Sequence, residues 1–390
     1  MSSYEQNHLY RHNKGKYRIL LVVRWPVGGI RTFIRYVYRH LEPELFHFTI
    51  LGPKNPEMDV LAEDLQGLSV DFKEMSERPS AFEILTAIRE VLRANKYDLI
   101  HSHGFTSGIC AALPALLAKR PHILTSHDVI NKKQFKGISG RLKKIIMSFA
   151  LRSARAIHSV SYDANMNLLE YFPFLQKHTD KCITITHGIE IKRFSEAVKR
   201  NIKFDLGIGE ETFLIGFLGR FMSQKGFRYL IEAIDHLSKK SNLPRQILVV
   251  AFGDGGFVRE EKQKIMEKGL MEFFRFLPFV DNAASIIKGL DVVVMPSLWE
   301  ACGLLAMETL ICGTPLIGTN CIGLREVLRN TPSIVVDPKD SVALADAIEQ
   351  VMITDLRELF VRFSSHAQKI FDVETTAKNI RQLYLDVLTG

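Results

Sequence analysis

Residues 297–313 read SLWEACGLLAMETLICG and follow an apolar run, Asp291 to Met295, that predicts a β-strand. A glycine, Gly303, stands between two glutamates, Glu300 and Glu308. A strand that leads through a short glycine-containing turn into a helix is the unit from which parallel sheets are built. The stretch therefore predicts an α/β fold, with the turn at the carboxyl end of a strand.

On both sides of this stretch, short β-rich runs alternate with amphipathic helical segments, which predicts βαβ units and parallel sheets. In the first half we predict strands at Tyr17–Val23, Phe46–Gly52, Leu68–Phe72, Leu99–His103, His122–His127, Ala156–Val160 and Cys182–His187. In the second half we predict strands at Thr212–Leu218, Gln246–Phe252, Phe274–Leu277, Asp291–Met295, Pro315–Gly318 and Ser333–Val336.

The length predicts more than one domain. The chain has 390 residues, and a single core stops growing at roughly 250 to 300 residues. A polar, strand-poor stretch at Ile191–Glu210 separates the two strand series. We predict two Rossmann-like domains, 1–195 and 196–365, and a C-terminal helix, 366–390, that packs back on the first domain.

The composition excludes several classes of protein. No apolar run approaches the roughly 18 to 20 residues of a membrane-spanning helix, and residues 1–16 show no secretory signal. The five cysteines lack C-x-x-C spacing, which disfavours a zinc site. A cytoplasmic location is expected. The net charge of +8 favours anionic partners, namely nucleotide phosphates, an acidic membrane face or nucleic acid.

The helix that opens at Gly303 and Leu304 predicts an anion site. Free N–H groups and the positive end of the helix dipole would face an anion there, and a diphosphate is the natural occupant. Glu308 could then accept hydrogen bonds from a ribose, while Glu300 would face whatever the phosphate carries. The alternative is that both glutamates are solvated side chains.

A second anion signal lies at residues 217–226, FLGRFMSQKG, where a strand ends and Arg220 and Lys225 precede an amphipathic helix. Ligands bind at the carboxyl ends of strands in open α/β sheets. Two fixed cations there would stabilise the charge that a diphosphate gains as it leaves. The alternative is two surface cations.

Two glycine turns follow strands, at Gly28-Gly29 and at Gly253 to Gly256. Each predicts a tight strand-to-helix turn against which a phosphate or sugar could sit. Such a glycine pair by itself is equally well explained as a plain turn.

Histidines cluster at two strand ends of the first half, as His101 and His103 and as His127. His101 and His103 share one strand face, which allows a metal site, although further ligands of matching context are not evident. His127 is the better functional candidate, as a hydrogen-bond partner of a bound sugar. The alternative is a histidine satisfied by the backbone.

Residues 131–155 carry eight Lys or Arg residues and an apolar stripe formed by Leu142, Ile145, Ile146 and Phe149. A basic amphipathic helix can lie on an anionic membrane. A helix packed on its own sheet with a solvated basic face shows the same pattern.

Taken in order, these motifs resemble glycosyltransferase family 4, the retaining GT-B enzymes of group 1. The resemblance rests on the ordered set Gly28-Gly29, D-L-I-H-S-H-G at 98–104, T-S-H-D at 125–128, H-G-I-E-x-x-x-F at 187–194, G-R-x-x-x-x-K-G at 219–226, F-G-D-G at 252–255 and the two glutamates eight positions apart at 300 and 308. It implies two domains that face an interdomain cleft, with the acceptor on the N-terminal domain and a nucleotide diphosphate sugar on the C-terminal one.

The resemblance also implies roles for individual residues. Arg220 and Lys225 would bind the donor diphosphate, Glu308 the ribose, Glu300 the transferred sugar, and His127 would lie beside that sugar. The donor site would include Gly28, Gly29, Gly253, Gly303 and Leu304. Neither a metal nor another cofactor is expected, in keeping with the absence of a D-x-D pair.

The resemblance implies an acceptor that is lipid-linked, a polysaccharide or a small molecule, in cell-surface polysaccharide or glycolipid synthesis. We expect no nucleic acid partner, and 131–155 would provide peripheral contact with the inner face of the plasma membrane. Ala301-Cys302 and His187 replace the family's common Gly-Phe and Asn, which leaves the sugar open. The alternatives are a metal-dependent hydrolase using His101, His103, His127 and Asp128, and a non-catalytic sugar-nucleotide-binding protein.

Overall fold

The computed structural model describes residues 15–278 and 282–390. The chain divides into two compact units. The first unit runs to His187 and also takes in Val373–Gly390, and the second unit is Gly188–Asp372. The boundaries predicted after residues 195 and 365 thus lie several residues from these two points. The secretory-signal prediction concerns residues 1–16, and 1–14 lie outside the described residues.

The first unit contains a seven-stranded sheet in the order β3-β2-β1-β4-β5-β6-β7, in which every neighbouring pair is parallel. Its strands are β1 Tyr17–Val23, β2 Phe46–Pro53, β3 Val70–Met75, β4 Leu99–His103, β5 His122–Ser126, β6 Ala156–Ser159 and β7 Cys182–Thr184. The strand order reverses between β1 and β4, and ligands of doubly wound sheets bind outside the carboxyl ends of the strands at such a point.

Helices connect these strands, as parallel crossovers require. They are α1 Gly29–Tyr38, α2 Pro56–Asp64, α3 Ala81–Ala94, α4 Phe105–Leu117, α5 Gly137–Ser153 and α6 Tyr162–Tyr171. Strands β4, β5 and β6 are buried along their whole length, so their histidine, serine and threonine side chains are buried as well.

The second unit contains a six-stranded parallel sheet in the order β10-β9-β8-β11-β12-β13. Its strands are β8 Phe213–Leu218, β9 Ile247–Phe252, β10 Phe274–Leu277, β11 Val292–Met295, β12 Leu316–Thr319 and β13 Ile334–Val336. Its helices are α7 Ile191–Ser195, α8 Ile202–Leu206, α9 Phe227–Ser238, α10 Val258–Glu267, α11 Ala283–Gly289, α12 Leu304–Ile311, α13 Arg325–Leu328, α14 Ser341–Ile353 and α15 Arg357–Ile370. All the predicted strands are found in the described residues, with ends that differ by up to three positions.

The last helix, α16 Val373–Thr389, belongs to the first unit. It packs against α1, and its apolar side chains, including Ile380, are buried. The Tyr384 hydroxyl lies 2.7 Å from the Tyr38 hydroxyl of α1 and 2.7 Å from Nδ1 of His101. The C-terminal end of the chain thus completes the core of the first unit.

Candidate functional site

The carboxyl edge of the second sheet brings two distant loops together. Strands β8 and β11 are parallel neighbours, so the residues that follow them lie at the same edge. Gln224 donates from Nε2 to the Trp299 carbonyl at 2.9 Å, and the Leu298 amide donates to the Gln224 carbonyl at 2.7 Å. Gln224 thus fastens the loop after β8 to the loop after β11.

Gly226 permits this close approach. Its φ of 66° lies in the left-handed region, and a Cβ added there would be 1.9 Å from the Pro296 carbonyl oxygen. Any other residue would both strain the backbone and push the two loops apart. The glycine that ends the G-R-x-x-x-x-K-G motif is therefore explained by loop contact.

Lys225 and Glu300 form an ion pair at this edge, 2.7 Å between Nζ and Oε1. The Glu300 side chain is 7% exposed and the Lys225 side chain 25% exposed. The Ser297 hydroxyl donates to the same carboxylate oxygen at 2.7 Å, and the Glu300 amide donates to the Ile322 carbonyl at 2.9 Å. A nearly buried carboxylate is thus held in one orientation by a cation and a hydroxyl.

Arg220 follows Gly219 at the end of β8, and its side chain is exposed. Within residues 15–278 and 282–390 its guanidinium makes no hydrogen bond or ion pair. The neighbouring Phe221 amide donates to the Asp254 carbonyl at 2.9 Å. Gly253 packs equally closely, since a Cβ there would lie 2.1 Å from the Gly219 carbonyl oxygen. The glycine turn after β9 therefore supports the backbone next to Arg220.

Glu308 lies on α12 and is half-buried. Burial raises the pKa of its carboxyl to about 7, while the nearby charges of Arg193 and Lys225 act in the opposite direction. No hydrogen bond to this carboxyl comes from the described part of the chain. Leu304 is the first residue of α12, and the buried Gly303 precedes it. No side chain among the described residues caps the amino end of this helix.

Three residues of this edge escaped the sequence analysis, namely Gln224, Ser297 and Arg193. Gln224 and Ser297 lie inside the stretches that predicted the site, but their roles depend on contacts with the other loop. Arg193 lies just before Phe194 in the H-G-I-E-x-x-x-F motif. Its position in that motif was the only sequence signal for it.

The first unit contains the remaining predicted site residues. Gly28 has a φ of 55° and precedes α1, and Gly29 is its first residue, where an added Cβ would meet nothing within 4 Å. His127 follows β5 and is half-buried. Burial, with the neighbouring His103, His158 and His187, holds the pKa of His127 well below its usual range.

The histidines of the alternative metal site form hydrogen bonds with one another and with tyrosines. His103 Nδ1 lies 2.9 Å from His127 Nε2, and the Tyr38 hydroxyl lies 3.0 Å from His103 Nε2 and 3.1 Å from His101 Nδ1. Among the residues that the structure describes, no group of three or more His, Cys, Asp or Glu side chains is placed to hold a metal ion. These ring nitrogens are thus engaged in hydrogen bonds.

Helix α5 exposes the apolar stripe that its sequence predicted. Ile145 is 66% exposed and Phe149 45%, and Ile138, Leu142 and Ile146 are also exposed. The opposite face, with Met147, Ala150 and Leu151, is buried. The stripe therefore faces solvent, and a different face packs on the protein. Within the described residues no helix is both long enough and apolar enough to span a bilayer.

Comparisons with known proteins point to one family. Residues 198–370 match the model of the glycosyl transferases group 1, and residues 28–174 match a glycosyl transferase 4-like domain. The UDP-Gal:alpha-D-GlcNAc-diphosphoundecaprenol alpha-1,3-galactosyltransferase of Escherichia coli is 25% identical over 78% of this chain and 80% of its own. The D-inositol 3-phosphate glycosyltransferase of Corynebacterium urealyticum is 28% identical over 75% and 72%.

A solved structure shares the fold. The Anabaena protein HepE, crystallised with UDP-glucose, superimposes with a TM-score of 0.80 at 19% identity, covering 95% of this chain and 99% of that one. Two parallel-sheet α/β units of this kind form the GT-B fold.

Proposed function

Because the chain belongs to the group 1 glycosyl transferases, GT-B enzymes that use nucleotide sugars, we propose that it is a retaining, metal-independent transferase. In this proposal it moves a hexose from a nucleotide diphosphate sugar to an acceptor hydroxyl. The observation that carries the proposal is the Lys225–Glu300 pair at the carboxyl edge of the second sheet. It lies in the unit that also contains the exposed Arg220 and the half-buried Glu308.

The charged side chains at this edge could bind both the diphosphate and the ribose of such a donor. Arg220, Lys225 and the amino end of α12 at Gly303 and Leu304 would bind the diphosphate. Glu308, to which no described residue donates a hydrogen bond, would accept from the ribose hydroxyls. Gly253 would support the backbone beside the phosphates.

The chemistry follows from the charge that develops. As the bond between sugar C1 and the diphosphate oxygen breaks, negative charge grows on the leaving group, and Arg220 and Lys225 stabilise it. The acceptor oxygen bonds to C1 on the face that the diphosphate leaves, and the acceptor's proton passes to a diphosphate oxygen. Glu300 would accept hydrogen bonds from the transferred sugar and so orient it.

The first unit would contribute His127 to the reacting sugar and the turn at Gly28 and Gly29 to the donor. The amino end of α1 lies beyond the carboxyl end of β1, next to the reversal of strand order. An anionic or hydroxylated ligand fits such a helix start. His127 would act as a hydrogen-bond partner of the sugar.

We further propose that the acceptor is presented at an anionic membrane, in polysaccharide or glycolipid synthesis. The exposed stripe of α5 supports this, since Lys143 and Arg141 lie among its apolar residues and are exposed too. The range 131–155 holds no acidic residue. Apolar insertion and attraction to anionic lipid act together on such a surface. The E. coli relative's name specifies a diphosphoundecaprenol-linked acceptor.

Isothermal titration with UDP, GDP and ADP tests the donor site. UDP is the first candidate, because the E. coli relative is named for UDP-Gal and HepE was crystallised with UDP-glucose. Incubation of the best nucleotide's sugar conjugates with water or an acceptor then tests transfer. The proton NMR signal of the product's anomeric centre should show the donor's configuration. Inversion at that centre, or full transfer that depends on added Mg²⁺, contradicts the mechanism.

A further inference from the structure

A chain of buried polar groups crosses the first unit from α16 to His127. It contains six side chains that are 2% exposed or less, namely His101 and His103 of β4, Thr125 of β5, His158 of β6, Tyr38 of α1 and Tyr384 of α16. It ends at His127, which is half-buried. Each hydrogen bond in it needs one proton. The position of each proton can therefore be worked out from one end.

The Ile185 carbonyl decides the first proton. His158 Nε2 lies 3.0 Å from the Ile185 carbonyl oxygen, which can only accept, so His158 carries its proton on Nε2. Burial lowers the pKa of His158 to about 4, and the ring is neutral at pH 7. Nδ1 of His158 is thus an acceptor, and the Thr125 hydroxyl, 2.9 Å away, donates to it.

The next proton belongs to His101. The single hydroxyl proton of Thr125 is already used, so His101 Nε2, 2.6 Å from Thr125 Oγ1, must be the donor. Burial also holds the pKa of His101 well below its usual range, which makes this ring neutral. Nδ1 of His101 is therefore an acceptor, facing the hydroxyls of Tyr384 at 2.7 Å and Tyr38 at 3.1 Å.

The two tyrosines supply only two protons. Three contacts join Tyr38, Tyr384 and His101 Nδ1, at 2.7, 2.7 and 3.1 Å. The two contacts of 2.7 Å take both protons, because Tyr384 donates to His101 Nδ1 and Tyr38 donates to Tyr384. No tyrosine proton is then left for His103 Nε2, 3.0 Å from the Tyr38 oxygen. His103 Nε2 therefore donates to Tyr38. Its Nδ1, in a ring whose pKa burial also lowers, accepts from His127 Nε2 at 2.9 Å.

We propose that this hydrogen-bond chain holds His127 in the tautomer with the proton on Nε2, so that Nδ1 offers a lone pair to the ligand. Tyr38 and His103 are then positioning residues for His127. The inference rests on the proposed role of His127 beside the transferred sugar. A lone pair accepts from a sugar hydroxyl and repels an anionic oxygen, so the site selects a neutral sugar with a hydroxyl at that position over a uronic acid.

Two-bond nitrogen–proton correlation spectra of protein labelled with [¹⁵N]histidine distinguish the two tautomers in the absence of any substrate. We expect the wild-type His127 signal to show a protonated Nε2 and an unprotonated Nδ1. Tyr38→Phe removes the acceptor of the His103 proton, so both rings should show a mixture of tautomers. A protonated Nδ1 on wild-type His127 overturns the inference.

Tyr384→Phe is the matched control. It removes one phenol hydroxyl, as Tyr38→Phe does, but Tyr38 can still donate to His101 Nδ1 and accept from His103. His127 should therefore keep the wild-type tautomer. A His127 spectrum that Tyr38→Phe leaves unchanged also overturns the inference. In transfer assays Tyr38→Phe should lower kcat/KM about tenfold, the worth of one neutral hydrogen bond.

A failure of the proposed function gives a different pattern. If His127→Ala transfers sugar as fast as wild type while the spectra show the expected tautomer, the role of His127 is wrong and the hydrogen-bond chain stands. If His127→Ala is inactive but the wild-type tautomer is Nδ1-protonated, the chain is wrong and the role stands.

Discussion

Glu300 accepts two hydrogen bonds on one oxygen, from Lys225 and from Ser297. Its burial means that it is held before any ligand arrives, which is the condition under which a polar group contributes most to a transition state. The residue therefore serves both the loop contact and the proposed sugar site.

Glu300→Gln should lower kcat at least about a hundredfold, the size of effect seen when one preorganised polar group is lost from a reacting centre. Glutamine keeps an oxygen that can accept from Lys225 and Ser297, so the melting temperature should change little. Initial rates of sugar transfer and thermal unfolding measure the two effects. Lys225→Ala should also remove most activity.

Glu349→Gln provides the control, because Glu349 pairs with Lys240 at 2.5 Å in the same unit, outside the proposed site. Its turnover should match wild type. Equal turnover of Glu300→Gln and Glu349→Gln would show that Glu300 has no part in transfer.

Glu308 predicts a pH dependence near neutrality. Its carboxyl pKa is raised to about 7 by burial, so the carboxylate that accepts from a ribose forms as the pH rises through 7. The Kd of the nucleoside diphosphate should fall between pH 6 and pH 8. Glu308→Gln cannot titrate and should show only the dependence that comes from the phosphate.

The same shift affects stability. The pKa of Glu308 in the folded state lies above its ordinary value of 4.5, because the buried site favours the neutral carboxyl. This group's contribution to the free energy of unfolding is therefore fully present below about pH 4.5 and is lost as the pH rises through about 7. Glu308→Gln should therefore melt at a higher temperature than wild type at pH 8 and at nearly the same temperature at pH 4. An equal difference at both pH values contradicts the assigned burial effect.

At the scale of the element, α5 differs from an ordinary surface helix because it buries one apolar face and exposes another. Helix α4 packs against it and exposes Leu113, Leu116 and Leu117 as well. Exposed apolar side chains grouped on neighbouring helices are typical of an interaction surface.

Phe149→Asp should weaken binding to vesicles of phosphatidylglycerol by about tenfold or more, because it loses roughly 1.5 to 3 kcal/mol of apolar burial and adds repulsion. Vesicle flotation measures the bound fraction. Phe82→Asp is the matched control, since Phe82 is 76% exposed on α3 of the same unit. If both variants float like wild type, α5 is not the membrane surface.

At the scale of the whole molecule, the C-terminal helix returns to the first unit after the chain has built the second. Ile380 of α16 is fully buried there, while Lys378 on the same helix is exposed. The stability of the first unit thus depends on residues that follow the second unit in the sequence.

Ile380→Ala should destabilise the first unit by about 2–5 kcal/mol, the usual cost of such a cavity, and Lys378→Ala should have little effect. Calorimetry with and without the bound nucleoside diphosphate assigns the transitions, because the ligand raises the melting temperature of the unit that binds it. A loss confined to the nucleotide-stabilised transition would contradict the placement of α16.

Much of the architecture could be read from local patterns. Strands such as Val292–Met295 are short apolar runs bounded by turn residues, and the glycines and cations that follow several strands recur at spacings that a parallel sheet explains. The α/β class, the order of the elements and the family all follow from information that neighbouring residues carry.

Contacts between distant residues were decided only by the tertiary structure. Lys225 meets Glu300 because β8 and β11 are neighbours, although 75 positions separate the two residues. His101 and His103 left a metal site open as an alternative, because nothing local reveals Tyr38 and Tyr384 as their hydrogen-bond partners. The apolar residues of the exposed stripe on α5 have the same spacing in the sequence as those of a helix that packs on the core. The periodicity of a sequence shows that a helix or strand has an apolar or a polar face, but only the packing of strands and helices determines what that face contacts.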